Sequence, residues 1–370
     1  MNDPAPPSGA RQAAHVAVSA ALARYGDTAL AELLDTAEPI GSGIGGTSAL
    51  LEIAGTPVFV KRVPLTDVER GPEHLRSTAN LFGLPVFCHY GIGAIGGPGF
   101  GVWRELAAHI MTTEWVLAGE YEGFPLMYHW RVVPGAAPLP DELADIERAV
   151  AYWGGGPRVR HRIEALREAS ASVALFLEYI PRDLHQWLGD RVEAGGGTAA
   201  AACAMVEREL RAGTSFMNSR GLLHFDAHFQ NILTDGRRLF FTDYGLALSS
   251  RFALSPDERD FFGRHESYDR DYTANHLVNW LATAVYGDGR EEREARIRRC
   301  AGGERPTGVP EEVGAILTRH APRAAVLSGF FRGFREESRS TPYPLERLRR
   351  VGDPWTGAPG RPDTSRRAAD

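Results

Sequence analysis

One stretch of the chain, residues 224–231, holds two histidines, a carboxylate and two amides, and Asp243 follows it after a segment that contains two apolar runs. Apolar residues on both sides of the pair Asp235-Gly236 indicate a β-hairpin between Asn231 and Asp243. The residue that enters a hairpin and the residue that leaves it lie at the same end, so we predict that Asn231 and Asp243 are neighbours. Two oxygen donors at one place suit Mg²⁺, which takes one or two protein ligands and leaves its other positions to phosphate and water.

Asp226 lies on the same predicted loop, shortly before Asn231. A carboxylate at this place could orient a hydroxyl nucleophile or accept its proton. The stretch therefore has the composition of a phosphoryl-transfer site. The alternative is a transition-metal site of His224, Asp226 and His228, because alternating ligands on an extended segment can reach one metal ion.

Lys61 is the only lysine among the 41 basic residues of the chain. It alternates with apolar residues in the β-prone run from Pro57 to Val63, where the ordinary expectation is a surface lysine whose stem covers apolar neighbours. Lysine is a compact point charge and arginine a planar fork, so a crowded phosphate site would explain why an arginine-rich chain keeps one lysine. We predict that Lys61 contacts phosphate and pairs with a carboxylate.

Glu105 is the predicted partner of Lys61. Apolar residues recur at helical spacing over residues 102–116, which places Glu105 in the first turn of an amphipathic helix. An acidic residue at that position is also favoured by the helix dipole alone. Glu69 and Glu73 are rival partners.

Gly41, Gly43 and Gly46 have the spacing GxGxxG, in which missing side chains let backbone N–H groups approach phosphate oxygens. The pattern alone is weak in a chain with 41 glycines, and a flexible turn is the plain alternative. A dinucleotide-binding fold would need a helix directly after the glycines, whereas Thr47 to Ile53 is β-prone. The sequence favours a glycine flap between two antiparallel strands.

Composition sets broad limits on the fold and on the partners. A chain of 370 residues can bury a sizeable core and suggests two lobes, and 43% hydrophobic with 24% charged residues fits an ordinary globular enzyme. The net charge of −6 and the absence of long basic runs argue against nucleic acid as a partner. No apolar run is long enough for a membrane span, so a cytoplasmic protein without a membrane partner is expected. Cys88, Cys203 and Cys300 are too scattered to indicate zinc or disulfides.

The remaining segments contain fewer signals. Helices are expected in residues 11–35, with no visible chemistry, and residues 64–102 look like a loop-rich insertion. The arginines of the helical segment 141–170 are most simply a solvated face. A buried strand ends at Pro181 and could be a linker between lobes, whose backbone around Glu178 to Ile180 could contact an adenine edge. The second half is mostly helical, and its later helices are expected at residues 291–300, 310–320 and 322–337.

Taken in order, the glycine pattern, Lys61, Glu105, the linker, HxDxHxxN and Asp243-Tyr244-Gly245 resemble the protein-kinase-like superfamily. The resemblance covers about residues 39–345. It implies an α+β, two-lobed fold, with an antiparallel β-sheet N-lobe that has one main helix, and a mostly helical C-lobe. The implied organisation is a helical extension at 1–38, an N-lobe with insertions at 39–178, a helical C-lobe at 179–345 and a disordered tail at 346–370.

The resemblance also implies ATP and Mg²⁺ as cofactors and transfer of the γ-phosphoryl group to a hydroxyl-bearing acceptor. Asp226 would be the catalytic base, and His224 and His228 would brace its loop. The remaining roles are phosphate binding by Lys61 with Glu105, metal binding by Asn231 and Asp243, and nucleotide binding by Gly41, Gly43, Gly46, Glu178 and Ile180.

Three departures from the protein-kinase pattern leave the acceptor open. Phe225 stands where protein kinases have arginine, and His228 is similar to the HxDxHxxN of aminoglycoside and choline phosphotransferases. The Ala-Pro-Glu that closes a protein-kinase activation segment is missing. The acceptor could be a protein Ser/Thr or a small molecule. The alternative function is an ATP-binding pseudokinase that acts as a regulatory module.

Overall fold

The computed structural model describes residues 8–43, 46–93, 95–136, 138–353 and 355. The protein is α+β, with most strand residues in its first half and mainly helices in its second. The described residues divide into two compact units, one containing the chain up to residue 190 together with 212–269, and the other containing 191–211 and the chain from 270 onward. The predicted lobe boundary after residue 178 lies inside the first unit.

The first unit contains a five-stranded antiparallel sheet with the strand order β1-β2-β3-β5-β4. Residue Lys61 of the central strand is paired with Ser48 on one side and with Leu175 on the other. The strands are β1 (Glu38–Gly43), β2 (Gly46–Ile53), β3 (Thr56–Leu65), β4 (Met127–Pro134) and β5 (Ala171–Glu178).

One face of this sheet packs against the amphipathic helix α4 (Val102–Leu117). Trp103 and Leu106 of the helix are buried against Val63 of β3 and Leu175 of β5. The apolar face of the helix, with a period of about 3.6 residues, and the apolar face of the strands, with a period of 2, thus form one core. This packing fixes the first turn of α4, which holds Glu105, over the middle of β3.

The predicted hairpin is present. β7 (Ile232–Thr234) pairs with β8 (Leu239–Phe241), and the Asp235 carboxylate accepts the N–H groups of Arg237 and Arg238 in the turn. The N–H of Thr242 donates to the carbonyl of Asn231 at 3.1 Å. Residues 231 and 243 therefore flank the open end of the hairpin.

Helices make up most of the remaining described chain. The first unit also contains the two-stranded sheet of β6 (Leu222–Leu223) and β9 (Leu248–Ser249). None of the helices in the described ranges is both long and apolar enough to cross a membrane. Besides α4, the helices are α1 (Ser8–Leu22), α2 (Asp27–Asp35), α3 (Asp67–Arg70), α5 (Asp141–Ala144), α6 (Ile146–Tyr152), α7 (Pro157–Arg167), α8 (Leu184–Ala194), α9 (Gly196–Ser219), α10 (Pro256–Arg264), α11 (Tyr268–Tyr286), α12 (Arg290–Ala301), α13 (Glu311–Glu336) and α14 (Leu345–Arg350).

Two expectations for the C-terminal part differ from the structure over the described residues. The sequence suggested separate helices at 310–320 and 322–337, but α13 continues through Pro322. The tail expected to be disordered begins with helix α14, in which Leu348 is fully buried. Most of the chain after residue 353 lies outside the described residues.

Candidate functional site

Lys61 lies between two carboxylates. Its Nζ is 2.7 Å from Glu105 Oε1 and 2.9 Å from Asp243 Oδ1. Lys61 belongs to β3. Glu105 lies in the first turn of α4, which packs on one face of the sheet, and Asp243 follows the hairpin of β7 and β8. Of the rival partners considered for Lys61, Glu69 instead forms an ion pair with Arg162 at 3.0 Å. We call Lys61, Glu105 and Asp243 the ion triad.

The charges of the ion triad are coupled. Burial opposes the charge on Lys61, but the carboxylates of Asp243 and Glu105 raise the pKa of the lysine above its usual range. Burial would raise the pKa of Asp243, yet the charge and hydrogen bond of Lys61 lower that pKa to about 2. Burial raises the pKa of Glu105, with Lys61 opposing it. Asp243 is therefore ionised at neutral pH. Because 39% of its side chain is exposed, the carboxylate is accessible to a cation.

Asp226 is held at one carboxylate oxygen and unpartnered at the other. The Asn231 side-chain amide donates to the backbone carbonyl of Asp226 at 3.0 Å and to its Oδ2 at 3.1 Å. Asp226 Oδ1 is buried and has no hydrogen-bond partner within the described chain. Burial, together with the charge of Asp243, raises the pKa of Asp226 well above its ordinary value. A raised pKa makes this carboxylate a stronger base than an ordinary one, and 21% of its side chain is exposed to a ligand although Oδ1 is covered.

His224 braces the loop, as the sequence suggested. Its Nε2 lies 2.9 Å from the carbonyl of Thr242, and its Nδ1 accepts the N–H of Asp226 at 3.3 Å. Burial lowers the pKa of His224 to about 4, so the ring is neutral and donates through Nε2. Both nitrogens are engaged, which argues against the transition-metal alternative. Within the described ranges, no three His, Cys, Asp or Glu side chains form a metal-binding group.

Asp269 fixes the same loop and was missed by the sequence reasoning. Its two carboxylate oxygens accept the N–H groups of His224 at 2.6 Å and Phe225 at 2.9 Å. Phe225 has a φ of +64°, a conformation that costs a non-glycine residue roughly 1–2 kcal/mol and needs such support. No local pattern links residue 269 to the loop.

Two cavities meet at Asn231 and Asp243, and both are lined entirely by residues of the first unit. The linker cavity, of about 720 Å³, is bounded by the strand ends at Gly41 and Gly46, by Lys61 and by residues 177–181. The glycine cavity, of about 490 Å³, is bounded by residues of the segment 91–101 and by Asp226 and His228.

The structure places the predicted nucleotide-binding residues as follows. Gly41 and Gly46, the backbone region of Glu178 and Ile180, and Lys61 all line the linker cavity. Gly43 pairs with Gly46 at the end of β1 and β2. The tip of the predicted flap, Ile44 and Gly45, lies outside the described residues.

Arg162 corrects the expectation that the arginines of residues 141–170 form a solvated face. Its side chain is only 3% exposed, and its Nη1 contacts Glu69 while its Nε donates to the carbonyl of Gly99 at 3.1 Å. Glu69 also accepts the N–H of Val102 at 2.8 Å. Arg162 and Glu69 thereby join the segment 91–101 to the first turn of α4. Arg160, by contrast, forms a partly exposed pair with Glu147.

Arg11 corrects a second expectation, that the N-terminal helices carry no chemistry relevant to the site. Its Nε and Nη2 donate to the Glu178 carboxylate at 2.9 and 2.7 Å, and Nη2 also donates to the carbonyl of Phe124. Glu178 also accepts the N–H of Leu126 at 3.0 Å. The carboxylate of Glu178 thus anchors the linker and is not available to a ligand, and the N–H of Glu178 donates to the carbonyl of Leu126 at 2.7 Å.

Arg11→Met is expected to reduce the free energy of unfolding by about 3–5 kcal/mol, because the Glu178 carboxylate would remain buried without its cation. Adding Glu178→Gln removes that charge and should recover much of the loss. The free energies of unfolding of the single and the double variant are measured by urea unfolding. Arg24→Met, at an exposed position just after α1, is the control. A loss no larger for Arg11→Met than for Arg24→Met would contradict the anchoring role.

The comparisons with known proteins add no relative: no protein-family model matches the chain, and no curated protein matches it. The structure itself defines an α+β protein with a five-stranded antiparallel sheet and a helical C-terminal part. Its most distinctive site is the ion triad, with Asp226 nearby and a cavity on either side of Asn231 and Asp243.

Proposed function

We propose that this protein is a protein-kinase-like phosphotransferase that transfers the γ-phosphoryl group of Mg-ATP to a hydroxyl group of a protein or small-molecule acceptor. The observation that carries the proposal is the ion triad: the only lysine of the chain is buried between Glu105 and Asp243 and lines the linker cavity. Buried charges are costly unless they are well paired, and perturbed ionisable groups in a cavity are typical of functional sites.

The linker cavity supports a nucleotide site. Its volume of about 720 Å³ lies within the range of small-molecule and cofactor sites. The ammonium group of Lys61 provides positive charge for phosphates. Backbone groups of residues 178–180 would contact a base edge, except for the N–H of Glu178, which donates to the carbonyl of Leu126. Arg11 would act as a positioning residue, because it holds the linker through Glu178.

Asn231 and Asp243 fit a magnesium ion by their donor chemistry, since one provides an amide and the other an ionised carboxylate. When bound, Mg²⁺ would neutralise charge on the phosphates of ATP. Lys61 keeps Asp243 ionised, and Glu105 holds Lys61 in place. The amide nitrogen of Asn231 is occupied with Asp226, so its oxygen is the atom left to act as a ligand.

Asp226 would orient the acceptor hydroxyl and accept its proton on the exposed side of its carboxylate, which the Asn231 amide holds in place through Oδ2. His224 and Asp269 keep the loop in the required conformation. Burial lowers the pKa of His228, so this residue is neutral near Asp226. Positioning and charge neutralisation would supply most of the catalysis, because the transition state of phosphoryl transfer is largely dissociative.

A single-lysine chain permits a direct test of the nucleotide site. An acyl phosphate of ATP should acylate Lys61: the amine attacks the acyl carbon, the bond to phosphate breaks, ATP leaves, and an amide remains. We expect Lys61 to be modified and excess Mg-ATP to prevent the modification, measured by peptide mass spectrometry. Acetyl phosphate, which lacks the nucleotide, is the control reagent.

Labelling of Lys61 that Mg-ATP does not reduce, or equal labelling by acetyl phosphate, would contradict an ATP site. Protected labelling without phosphoryl transfer to any acceptor would instead favour the ATP-binding regulatory module.

A further inference from the structure

The glycine cavity is a second compartment that reaches Asp226 from outside the linker cavity. Both cavities are lined by Asn231 and Asp243, but only the glycine cavity is lined by Asp226 and His228. If ATP occupies the linker cavity, an acceptor hydroxyl has to approach Asp226 through the glycine cavity. This step rests on the proposed function.

The wall of this cavity is unusual because much of it is glycine backbone. The lining includes Gly91, Gly93, Gly96, Gly97, Gly99 and Gly101. A Cβ atom at Gly91 would lie 2.5 Å from Asp226 Oδ1, and one at Gly97 would lie 2.8 Å from Leu246 Cδ2. At Gly91 the backbone therefore lies directly against the proposed base, and a side chain at Gly91 or Gly97 would require its neighbours to shift.

Side chains from neighbouring helices hold the wall in place. The Tyr152 hydroxyl donates to the carbonyl of Ile92 at 2.7 Å, and Trp153 Nε1 donates to that of Gly96 at 3.0 Å. Arg162 donates to the carbonyl of Gly99. The cavity is thus preformed, and its volume of about 490 Å³ suits a small ligand. A peptide would need a continuous groove on both sides of its hydroxyl residue, and a fixed wall beside Asp226 obstructs such a path.

The charge of the lining restricts the ligand further. Asp226 and Glu142 contribute carboxylates in addition to those of Glu105 and Asp243. Among the described lining residues, Arg162 is the only arginine or lysine, and it is paired with Glu69. The described lining therefore offers no available arginine or lysine to an anionic acceptor. Backbone N–H and C=O groups of the glycine wall are instead suitable partners for several hydroxyl groups.

We propose that the glycine cavity is the acceptor site and that its substrate is a small, non-anionic polyhydroxy compound rather than a protein side chain. One hydroxyl would give its proton to the exposed side of the Asp226 carboxylate, away from the covered Oδ1, while its oxygen bonds to the γ-phosphorus. The bond from the γ-phosphorus to the bridging oxygen breaks, and ADP leaves. The segment 91–101 would determine specificity through its shape.

The first test uses a cell extract separated into protein and small-molecule fractions. Each fraction is incubated with γ-labelled ATP and the enzyme, and label transferred by the Asp226→Asn variant is subtracted. We expect transfer to the small-molecule fraction, and we expect it to persist after an anion-exchange resin has depleted that fraction of anionic compounds. Transfer to proteins, loss of the acceptor on the resin, or no transfer to either fraction would overturn the inference.

The second test narrows the cavity. Gly97→Ala should reduce transfer to the small-molecule fraction roughly 10²-fold, because the wall is displaced near the reacting groups. Gly156→Ala, where a Cβ meets nothing within 4 Å, should not. Protection of Lys61 by Mg-ATP should persist in both variants. If protection is absent in the parent protein, the proposed function itself fails; if protection is present but Gly97→Ala transfers normally, only the acceptor assignment fails.

Discussion

Asp226→Asn is expected to reduce phosphoryl transfer roughly 10²–10⁴-fold and to leave protection of Lys61 by Mg-ATP intact. The amide is too weak a base to accept the proton that the Asp226 carboxylate would accept. Its oxygen can still accept the hydrogen bond from Asn231 at the position of Oδ2, so the loop should keep its geometry. Transfer is measured with the small-molecule fraction, and Lys61 protection by peptide mass spectrometry.

The matched control is Asp260→Asn, at an exposed position of α10, which should transfer at the parent rate. Equal transfer by the parent and by Asp226→Asn would remove Asp226 from the role of base.

Asp226→Asn should also change the free energy of unfolding in a pH-dependent way. Because the folded-state pKa of Asp226 is raised, the native protein binds more protons than the unfolded chain between pH about 4 and that raised pKa. The stability of the parent therefore falls as pH rises through this range. The amide introduced by Asp226→Asn has no such proton to lose, so the stability of the variant relative to the parent, measured by urea unfolding, should increase as pH rises from about 4. A difference that stays constant with pH would contradict a raised pKa.

The hairpin and the proximity of Asn231 and Asp243 could be predicted because their signals are local. The pair Asp235-Gly236 and the flanking apolar residues determine the turn, and the turn determines which residues flank its ends. Helix α4 could be predicted for the same reason. The rule that proline ends a helix was too strict at Pro322, where α13 continues.

The choice among Glu105, Glu69 and Glu73 could not be made from the sequence, because it depends on how α4 packs on the sheet. The core around Trp103 and Leu106 directs Glu105 to Lys61. Glu69 instead forms an ion pair with Arg162, which lies 93 residues away in the chain. In the sequence, Arg162 resembles the exposed arginines of its helix.

The contacts of Arg11 and Asp269 were even less predictable from the sequence. Arg11 contacts Glu178 across 167 residues, and Asp269 contacts the backbone of His224 across 45. Neither contact has a signal in the local pattern, although buried charges of this kind fix the linker and the loop. The glycines of residues 91–101 indicated only a loop, since their close approach to Asp226 depends on the assembled fold.

Lys61→Met is expected to reduce kcat/KM for transfer roughly 10²–10³-fold, because a positive charge aimed at the phosphates is lost. It should also reduce the free energy of unfolding by about 3–5 kcal/mol at neutral pH, since two carboxylates lose the cation that lies 2.7 and 2.9 Å from them. Lys61→Arg keeps the charge, but its planar fork is too wide for this space, so it should not restore transfer. Arg62→Met, on the same strand, is the control for both measurements.

A double variant separates the catalytic role of Lys61 from its structural one. Glu105→Gln combined with Lys61→Met removes one unpaired carboxylate, so stability should recover in part while transfer stays low; recovery of transfer would mean that the ion triad is structural only.

The pH dependence of the stability of Lys61→Met gives a second check on the role of the charge. The pKa of Asp243 is held at about 2 by Lys61, against burial, so its stabilising effect is present above pH about 4 and is lost as pH falls towards 2. Lys61→Met lacks this effect, and its stability deficit should therefore narrow below pH about 4, whereas a deficit independent of pH would argue that lost packing, and not lost charge, is responsible.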